Sequence, residues 1–519
     1  MTKQPNFLLF ITDQQRADWL GCTGHPLVKT PNIDALAAEG VVFEDFHVAQ
    51  PVCMPNRASL MTGRMPSVHG LRYNGCNLPL TANTFVDILA AGGYRTASIG
   101  KSHLQPFSDK EPLRKADNTE RLLEEAWKVA PEDYISEEPQ SYQDDGADIV
   151  LPYYGFQHVD MITGHGDKCG GHYGQWFRKT HENWAELHDP ANELPHNYSC
   201  PQAYRTPVPE ASYPTHWVAD RAIDYLNDAA NHEAPFFAFV SFPDPHHPFN
   251  PPGKYWDMYN PDDFGIPLPY DAHKNPPPPL INLTEMWEKG QGQLIPQMAF
   301  RADERHVREA MALTAGMITL IDDQIGRVIA ALKASGQYEN TVIIFTSDHG
   351  DYLGAFNLML KGPYQHHSIT RVPFIWSDPD GRGVAKTDAL ASTIDISATI
   401  LDRADLAPYY GIQGRSFLKC LDGQSDHRDE LLIEHNDGGI RMGMSKPARV
   451  RSLRTSDWRL SLYAGEDWGE LYDLKQDPDE TQNLWDVPEL ASIRAELMMT
   501  LAEKLTHQMD ESPRAVRLA

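Results

Sequence analysis

Short apolar runs alternate with amphipathic helical stretches along roughly the first 400 residues of the chain. The run NFLLFIT at residues 6–12 is typical of a buried strand, and the helical pattern TPNIDALAAEG follows it. The same alternation returns around YRTASIG (94–100), FFAFVSF (236–242) and TVIIFTS (341–347). Parallel strands need crossover connections, which are usually helices. The alternation therefore predicts an α/β fold with a large, mostly parallel central sheet sandwiched by helices.

Two stretches interrupt this pattern. Residues 105–214 are rich in Pro, Gly, His, Tyr and Trp, and residues 251–279 end in the proline run NPPPP. Loops this long in a compact domain are usually functional or disordered, and the aromatic content favours ordered loops that frame a pocket. After Cys420 the pattern changes to antiparallel strands and a closing helix. We predict a larger domain over residues 1–420 and a smaller α+β subdomain with an antiparallel sheet over 421–519.

The charge balance restricts the possible partners. The chain has 45 basic and 72 acidic residues, a formal net charge of −27. This argues against nucleic acid or an anionic membrane surface as the main partner, and an anionic ligand would need a local positive site. We see no signal-peptide pattern and no apolar run of about 18 residues. The six cysteines are too sparse for a disulfide framework, so a cytoplasmic setting is expected, with periplasmic export left open.

Ligand-type or charged side chains follow four of the predicted strands. In open α/β sheets, sites form beyond the carboxyl ends of the strands. Polar residues that merely close a strand would explain any one of these sets, but they explain all four poorly. The four sets are Asp13 and Gln14; Lys101 and His103; Asp244, His246 and His247; and Asp348 and His349.

Part of this set is suited to a divalent metal. Two carboxylates, an amide oxygen and an imidazole come from Asp13, Gln14, Asp348 and His349. Mostly oxygen ligation favours Ca²⁺, Mg²⁺ or Mn²⁺, and the imidazole shifts the preference toward Mn²⁺. Positive charge and proton-transfer groups around the ion would make an anion site. They come from Arg57, Lys101, His103, His246 and Lys361.

The stretch PVCMPNRASLMTGR at residues 51–64 places Cys53 at the predicted start of a helix. Pro55 is tolerated in the first turn, and the positive end of the helix dipole stabilises anions. Arg57, one turn along, would face the same way. From the residues alone, Cys53 is a thiolate nucleophile, a metal ligand or buried apolar filler. The absence of a Cys-x-x-Cys partner weakens the redox and zinc interpretations.

The motif C-x-P-x-R followed by ASLMTGR resembles the signature of type I sulfatases in the alkaline phosphatase superfamily. Further segments resemble that family in the same order, from residue 6 to about residue 485. They are GKSHL, PHHPF, TSDHGDYLG, Lys361 with the following RVPFIW, and GELYDLKQDPDETQNL. The resemblance implies an alkaline phosphatase-like fold, a catalytic domain over residues 1–420 and hydrolysis of sulfate monoesters such as aryl sulfates.

The same resemblance implies the chemistry. The signature cysteine of the family is oxidised to formylglycine, so Cys53 would carry a hydrated aldehyde and complete the metal shell. One hydroxyl would attack sulfur, and loss of a proton from the other would release sulfate. A formylglycine-generating or other sulfatase-maturing enzyme is the implied partner. The other implied roles are orienting the hydrate (Arg57), holding sulfate oxygens (Lys101, Lys361), serving as base for sulfate release (His103), assisting the leaving group (His246 with Lys361) and contacting substrate (Asn74).

Two departures from the family pattern bear on the substrate. The pairs Asp13–Gln14 and Asp348–His349 are more similar to bacterial choline sulfatases and phosphonate monoester hydrolases than to many animal sulfatases. The phosphonate relatives usually lack the Lys-x-His pair that this chain has at Lys101 and His103. We therefore expect sulfate esters as substrates, with phosphonate monoester or phosphodiester hydrolysis, or both activities, as the alternative. A non-catalytic sulfoconjugate-binding protein is the rival from another class.

Two further expectations concern the substrate pocket and assembly. Tyr173, Trp176 and Trp184 in the aromatic stretch could stack on an aryl or sugar ring, but aromatic residues in loops more often serve in packing. Related bacterial enzymes are often dimers or tetramers, so a homo-oligomer is expected. The amphipathic C-terminal tail should dock on its own chain or on a second subunit.

Overall fold

The computed structural model describes most of the chain. The described residues are 4–108, 110, 128–130, 133–144, 146, 148–230, 233–292, 297–381, 383–424, 427–512 and 514–518. Part of the aromatic stretch at 105–214 lies outside them, and the prediction of ordered loops there stays a prediction.

The predicted strands form the centre of the largest sheet. The strands in the described part of the chain are β1 (Asn6–Thr12), β2 (Val41–Phe43), β3 (Phe46–His47), β4 (Arg95–Lys101), β5 (His158–Thr163), β6 (Gly170–Gly171), β7 (Phe236–Ser241), β8 (Phe300–Arg301), β9 (Thr341–Ser347), β10 (Leu358–Met359), β11 (Phe374–Ser377), β12 (Lys386–Thr387), β13 (Ala391–Ser392), β14 (Glu430–Asn436), β15 (Arg449–Thr455), β16 (Trp458–Tyr463) and β17 (Gly469–Asp473).

Nine of these described strands make one sheet in the order β12-β2-β11-β9-β1-β7-β4-β5-β6. The five neighbours β9, β1, β7, β4 and β5 run parallel. Antiparallel pairing begins at the flanks, where β11 meets β9 and β6 meets β5. The mostly parallel sheet is confirmed, and the four strands recognised in the sequence all lie in its parallel centre.

Helices cover both faces of this sheet. In the described residues they are α1 (Pro31–Glu39), α2 (Cys53–Thr62), α3 (Pro66–His69), α4 (Phe85–Ala91), α5 (His172–Thr180), α6 (Trp184–Leu187), α7 (Pro214–Ala229), α8 (Pro278–Glu288), α9 (Glu304–Ala334), α10 (His367–Thr370), α11 (Thr393–Arg403), α12 (Leu418–Leu421) and α13 (Ala491–His507).

Successive residues of β1 face opposite sides of the sheet. Leu8 and Phe10 pack in one core with α1, α7 and α9, whereas Phe7, Leu9 and Ile11 pack in a second core with α2, α4 and α11. Burying such a side chain contributes about 1.5–3 kcal/mol. A strand covered on both faces therefore reads as an unbroken apolar run, which is how β1 appears in the sequence.

The aromatic stretch at 105–214 contains more regular structure than the sequence predicts. It contributes β5 to the central sheet and carries α5 and α6. Tyr173 and Trp176 follow the packing alternative rather than the ring-stacking one. Tyr173 is fully buried in a hydrophobic core, and Trp176 packs against that core. Trp184 is 40% exposed and meets the edge of the His188 ring.

The C-terminal part contains the predicted antiparallel strands. In the described residues, β14 to β17 form a four-stranded antiparallel sheet in sequential order. Its apolar face shares a core with Met65 and Ile394 from the larger part of the chain. The domain boundary at 420/421 stays a prediction.

Near the C-terminus, Arg64 donates to Ser512 Oγ (2.8 Å), so the tail docks on its own chain at that point. In the described part of the chain, every helix is too short or too polar to cross a membrane.

Candidate active site

The five parallel strands deliver polar side chains to one place at their carboxyl ends. β4 ends with Lys101, and residues just beyond β1, β7 and β9 supply Asp13, Gln14, His246, Asp348 and His349, while α2 supplies Cys53 and Arg57. Contacts link nine of the eleven predicted site residues to one another: Asp13, Gln14, Cys53, Arg57, Lys101, His246, Asp348, His349 and Lys361. His103 and Asn74 lie beside this group.

Four side chains converge as a donor set for a metal ion. The ligand atoms of Asp13, Cys53, Asp348 and His349 all lie within 4.8 Å of one another, and all four residues are buried. His349 Nδ1 donates to the carbonyl of Gly350 (2.8 Å), which leaves the Nε2 lone pair directed into the cluster. Burial, with the Lys361 charge next, lowers the pKa of His349 to about 4, so its imidazole is neutral. Two carboxylates and a neutral imidazole fit a divalent cation.

The side-chain oxygen of Gln14 faces Lys361 rather than this cluster. Its amide nitrogen donates to Asp351 Oδ2 (2.5 Å), and its Oε1 accepts from Lys361 Nζ. Its backbone nitrogen donates to Asp348 Oδ1 (3.0 Å). Gln14 thus joins the metal cluster to Lys361, and its role as a metal ligand stays a prediction.

Cys53 is the first residue of α2, as the sequence predicts. Its Sγ lies 3.0 Å from His349 Nε2 and 3.6 Å from Asp13 Oδ1. Burial, followed by the Asp13 carboxylate, raises the pKa of the thiol to about 11. The charges of Lys361 and Lys101 lower this pKa, but burial outweighs them.

Arg57 is held by hydrogen bonds from three directions. Its Nε donates to Asp348 Oδ2 (2.7 Å), and its Nη1 donates to the Lys101 carbonyl and to Ser241 Oγ (both 2.8 Å). Its Nη2 lies 3.6 Å from Asp13 Oδ2 and makes no hydrogen bond with any described residue. The guanidinium is therefore fixed, with one nitrogen available beside the metal cluster.

Lys101 provides the second cation next to Asp13. Its Nζ donates to Asp13 Oδ2. Burial by itself would raise the pKa of Asp13, but the Lys101 and Arg57 charges outweigh it and hold that pKa well below its usual range. Asp13 is therefore ionised in the folded protein.

His246 and Lys361 form a second pair of site residues in contact with each other. His246 Nδ1 donates to the His247 carbonyl (2.6 Å), so its Nε2 has a lone pair, which lies 3.2 Å from Lys361 Nζ. Burial, with His165 next, lowers the pKa of His246 well below its usual value. The pair is a neutral imidazole beside an ammonium, an arrangement that can donate to an anion.

His103 sits in a strained backbone held by a buried carboxylate. Its φ is +60°, in the left-handed region. Glu137 accepts from the backbone nitrogens of His103 (2.8 Å), Leu104 (2.7 Å) and Gln105 (3.0 Å). Burial, with the Lys101 charge next, lowers the pKa of His103 well below its usual range, and its Nδ1 has no hydrogen-bond partner among the described residues. A neutral imidazole with an unpaired nitrogen can accept a proton.

We predict that Glu137→Gln impairs turnover although Glu137 is not in contact with the metal cluster. A glutamine offers one acceptor oxygen and places an NH₂ group against backbone donors, which loses roughly 1–3 kcal/mol of the support for the His103 loop. The measured kcat should fall about tenfold with the metal content unchanged. Glu138→Gln is the matched control, because Glu138 accepts none of these three bonds. Equal kcat values for the two variants would contradict this account.

Asn74 lies at the N-terminus of α2. Its Oδ1 accepts from the backbone nitrogen of Met54 (3.2 Å), one of the helix donors without an intrahelical partner. This bond places Asn74 beside residue 53, where the sequence resemblance assigns a substrate contact.

His165 is a site residue that sequence reasoning missed. It follows β5 and lies 2.7 Å from Lys101 Nζ through its Nε2. The strand HVDMIT alternates polar and apolar residues, so it does not show the apolar run that marks the other parallel strands. A strand followed by Gly-His was the available signal, similar to the Gly-Lys at the end of β4. Ser241 and Glu137 were missed as well, because their partners are set by packing alone.

The sulfatase family profile matches residues 5–406. The chain belongs to the sulfatase family. A second profile, described as the C-terminal part of N-sulphoglucosamine sulphohydrolase, matches residues 361–508. The family match and the clustered site agree with the resemblance carried by the Cys53 motif. As a sulfatase-family hydrolase, this protein acts on esters of the sulfate and phosphonate class.

Similar proteins span nearly the whole sulfatase chain. An arylsulfatase of Clostridium perfringens is 30% identical over 93% of this chain and 90% of its own length. A multifunctional alkaline phosphatase superfamily protein of Trinickia caryophylli is 28% identical over 98% and 96%. The crystal structure of a phosphonate monoester hydrolase of Agrobacterium radiobacter superimposes with a TM-score of 0.77 at 25% identity, covering 99% of this chain and 98% of that one. The fold is therefore alkaline phosphatase-like.

Proposed function

We propose that this sulfatase-family protein hydrolyses sulfate monoesters, aryl sulfates among them, with formylglycine derived from Cys53 and one divalent metal. The observation that carries the proposal is the position of Cys53. Its Sγ lies within 3.6 Å of both Asp13 and His349, at the start of a buried helix that also supplies Arg57.

The metal would be held by Asp13, Asp348, His349 and an oxygen of the converted residue 53, with Gln14 as a further candidate. When bound, it supplies Lewis acidity and a lowered pKa for a hydroxyl at residue 53. Ca²⁺ and Mn²⁺ are the preferred candidates, and Mg²⁺ is a weaker one. The ionised state of Asp13 and the neutral state of His349 are the protonation states that metal ligands need.

The surrounding cations would bind the sulfate group. Lys101 contacts Asp13, and Lys361 contacts Gln14 and His246, so two ammonium groups lie among the site residues. Fixed donors of this kind stabilise developing charge without reorganisation during the reaction. Arg57, fixed by its three hydrogen bonds, would orient the hydroxyl groups of residue 53 through its free Nη2.

Two neutral imidazoles would move protons. The unpaired Nδ1 of His103 could accept the proton that is lost when sulfate is released. Lys361 Nζ would donate to the departing alcohol oxygen, and His246 would assist by accepting from the same ammonium through its Nε2, 3.2 Å away. In these roles both histidines depend on the lowered pKa values that burial gives them.

The metal assignment predicts the ion content. Elemental analysis of purified protein should find one divalent ion per chain, and His349→Ala should lose most of it because one of the converging donors is removed. His158→Ala is the matched control, since His158 is exposed at the far end of β5. Two zinc ions per chain would instead indicate a two-metal phosphatase site.

The alternative is phosphonate monoester or phosphodiester hydrolysis, alone or alongside sulfatase activity. The similarity to the Agrobacterium radiobacter hydrolase and the Asp-Gln and Asp-His pairs favour it. A substrate panel separates the two: kcat/KM for an aryl sulfate, a sugar sulfate, choline sulfate and a phosphonate monoester. We expect the highest kcat/KM for one of the sulfates. A higher value for the phosphonate would overturn our choice of primary activity.

Conversion of Cys53 calls for a maturing enzyme as a partner. In the folded chain Cys53 is 1% exposed, so we propose that conversion occurs before α2 is packed.

A homo-oligomer is a further proposal. The exposed Met498, Met499 and Leu505 on α13 are apolar groups that a second subunit could cover.

A further inference from the structure

Lys101 contacts two site residues. The sequence predicts Asp13 as a site residue, but it does not predict His165. Lys101 Nζ donates to Asp13 Oδ2 on one side and to His165 Nε2, 2.7 Å away, on the other. His165 Nε2 also lies 3.8 Å from Asp13 Oδ2. The ammonium therefore sits in a fork made by a carboxylate and an imidazole.

The number of donors on Lys101 determines which ring nitrogen of His165 carries the proton. An ammonium has three N–H donors and no acceptor, so His165 Nε2 must be the acceptor and its ring proton must lie on Nδ1. Asp13 and His165 take two of the three donors. One N–H of Lys101 remains, directed away from both partners.

The ring of His165 is itself held in place. It stacks on His246 with centroids 3.7 Å apart and an angle of 13° between the planes. The half-buried ring of Phe107 meets it edge-on at 5.6 Å. Phe107 also lies 5.4 Å from Lys101 Nζ, measured to the centre of its ring. These contacts leave His165 little freedom to turn its Nε2 away from Lys101.

We propose that His165 is a positioning residue for Lys101, holding the ammonium so that its third N–H is presented to a sulfate oxygen. The inference rests on the proposed function for the identity of the anion, but the fork itself does not. Without the imidazole, the ammonium would be drawn toward Asp13 alone and its free donors would lose their direction. Binding of the sulfate group would then weaken without any loss of charge in the site.

The test uses metal-loaded full-length protein and inorganic sulfate as the probe, with the Kd measured by calorimetry. His165→Leu should weaken sulfate binding about tenfold or more, the scale for one hydrogen bond to a charged group. In a Lys101→Ala background the same substitution should change the Kd less than about twofold, because its effect passes through Lys101. His165→Gln should restore binding to within about threefold of wild type, since Gln Oε1 can take the place of Nε2.

Two variants keep the test decisive. His158→Leu, at the other end of the same strand, is the control and should bind sulfate as wild type does. If His165→Leu does not fold, His165→Asn replaces it, because the shorter amide cannot reach Lys101 and should also weaken binding. Equal losses with and without Lys101, or a Gln variant no better than Leu, would overturn the positioning role.

Turnover is measured in parallel to separate this inference from the proposed function. Sulfate binding that depends on His165 and Lys101 together, in a protein that hydrolyses no sulfate ester, would contradict the proposed function and support the fork. Sulfate ester hydrolysis that is unchanged in His165→Leu would support the proposed function and contradict the positioning role of His165. A wild-type protein that does not bind sulfate would contradict both.

Discussion

Cys53→Ala is expected to reduce sulfate ester hydrolysis by roughly 10⁴-fold or more, the scale for removing a catalytic nucleophile. Alanine has no group that can attack sulfur, and the remaining Lys101, Lys361 and Arg57 can only bind the substrate. The cavity left by one buried sulfur is small, so the fold should remain intact. The measurement is kcat/KM for an aryl sulfate, with inorganic sulfate binding as the check that the site is still assembled.

Cys76→Ala is the matched control for this prediction. Cys76 is half-buried and makes no contact with the metal cluster, so its removal should leave turnover within about twofold of wild type. Turnover by Cys53→Ala at the level of the control would remove the proposed mechanism.

Lys101→Ala is expected to lower kcat/KM for an aryl sulfate about a hundredfold or more. Losing one preorganised electrostatic contact weakens stabilisation of the transferring group by roughly 2–4 kcal/mol. Lys101 is held between Asp13 and His165, and alanine removes both the positive charge and the N–H donors from that position. Phosphonate monoester hydrolysis, where detectable, should fall less.

Lys168→Ala provides the comparison for Lys101. Lys168 follows the same strand end as His165, but its side chain is exposed and lies over the Tyr204 ring. Its removal should leave both activities close to wild type. Equal losses on sulfate and phosphonate in Lys101→Ala would show that Lys101 does not set the preference between them.

The central sheet could be predicted where strands are buried on both faces. Every residue of β1 and β9 is buried, and the sequence shows an apolar run of five residues (7–11) in β1 and of four (342–345) in β9. β5 was missed because its outer neighbour is only the two-residue β6, so His158 and Asp160 can face solvent. A polar alternation within a Gly- and His-rich stretch resembles a loop.

The site could be predicted to the extent that it follows strand ends. The carboxyl ends of β1, β4, β7 and β9 led to Asp13, Lys101, His246 and Asp348. His165 was missed because β5, the strand before it, was not recognised in the sequence. The contacts that hold these groups could not be found in this way. Arg57 donates to a backbone carbonyl and Glu137 accepts from three backbone nitrogens, and such bonds depend on how distant segments pack.

The orientation of Gln14 is a similar case. From the sequence its amide oxygen is an apt metal ligand, yet in the structure that oxygen accepts from Lys361. Asp351 decides the orientation by taking the amide nitrogen, and nothing in the sequence links it to Gln14. Residue type predicted which groups gather at the site, and the pairings among them came only from the fold.

The central claim is that residue 53 works as formylglycine. Its most direct test is the mass of the tryptic peptide spanning residues 30–57, from protein made with and without a formylglycine-generating enzyme, measured together with turnover of an aryl sulfate. We predict an aldehyde in place of the thiol, and a kcat per chain that rises in proportion to the converted fraction. Protein with an unmodified thiol at position 53 and the same kcat as the converted protein would contradict the account.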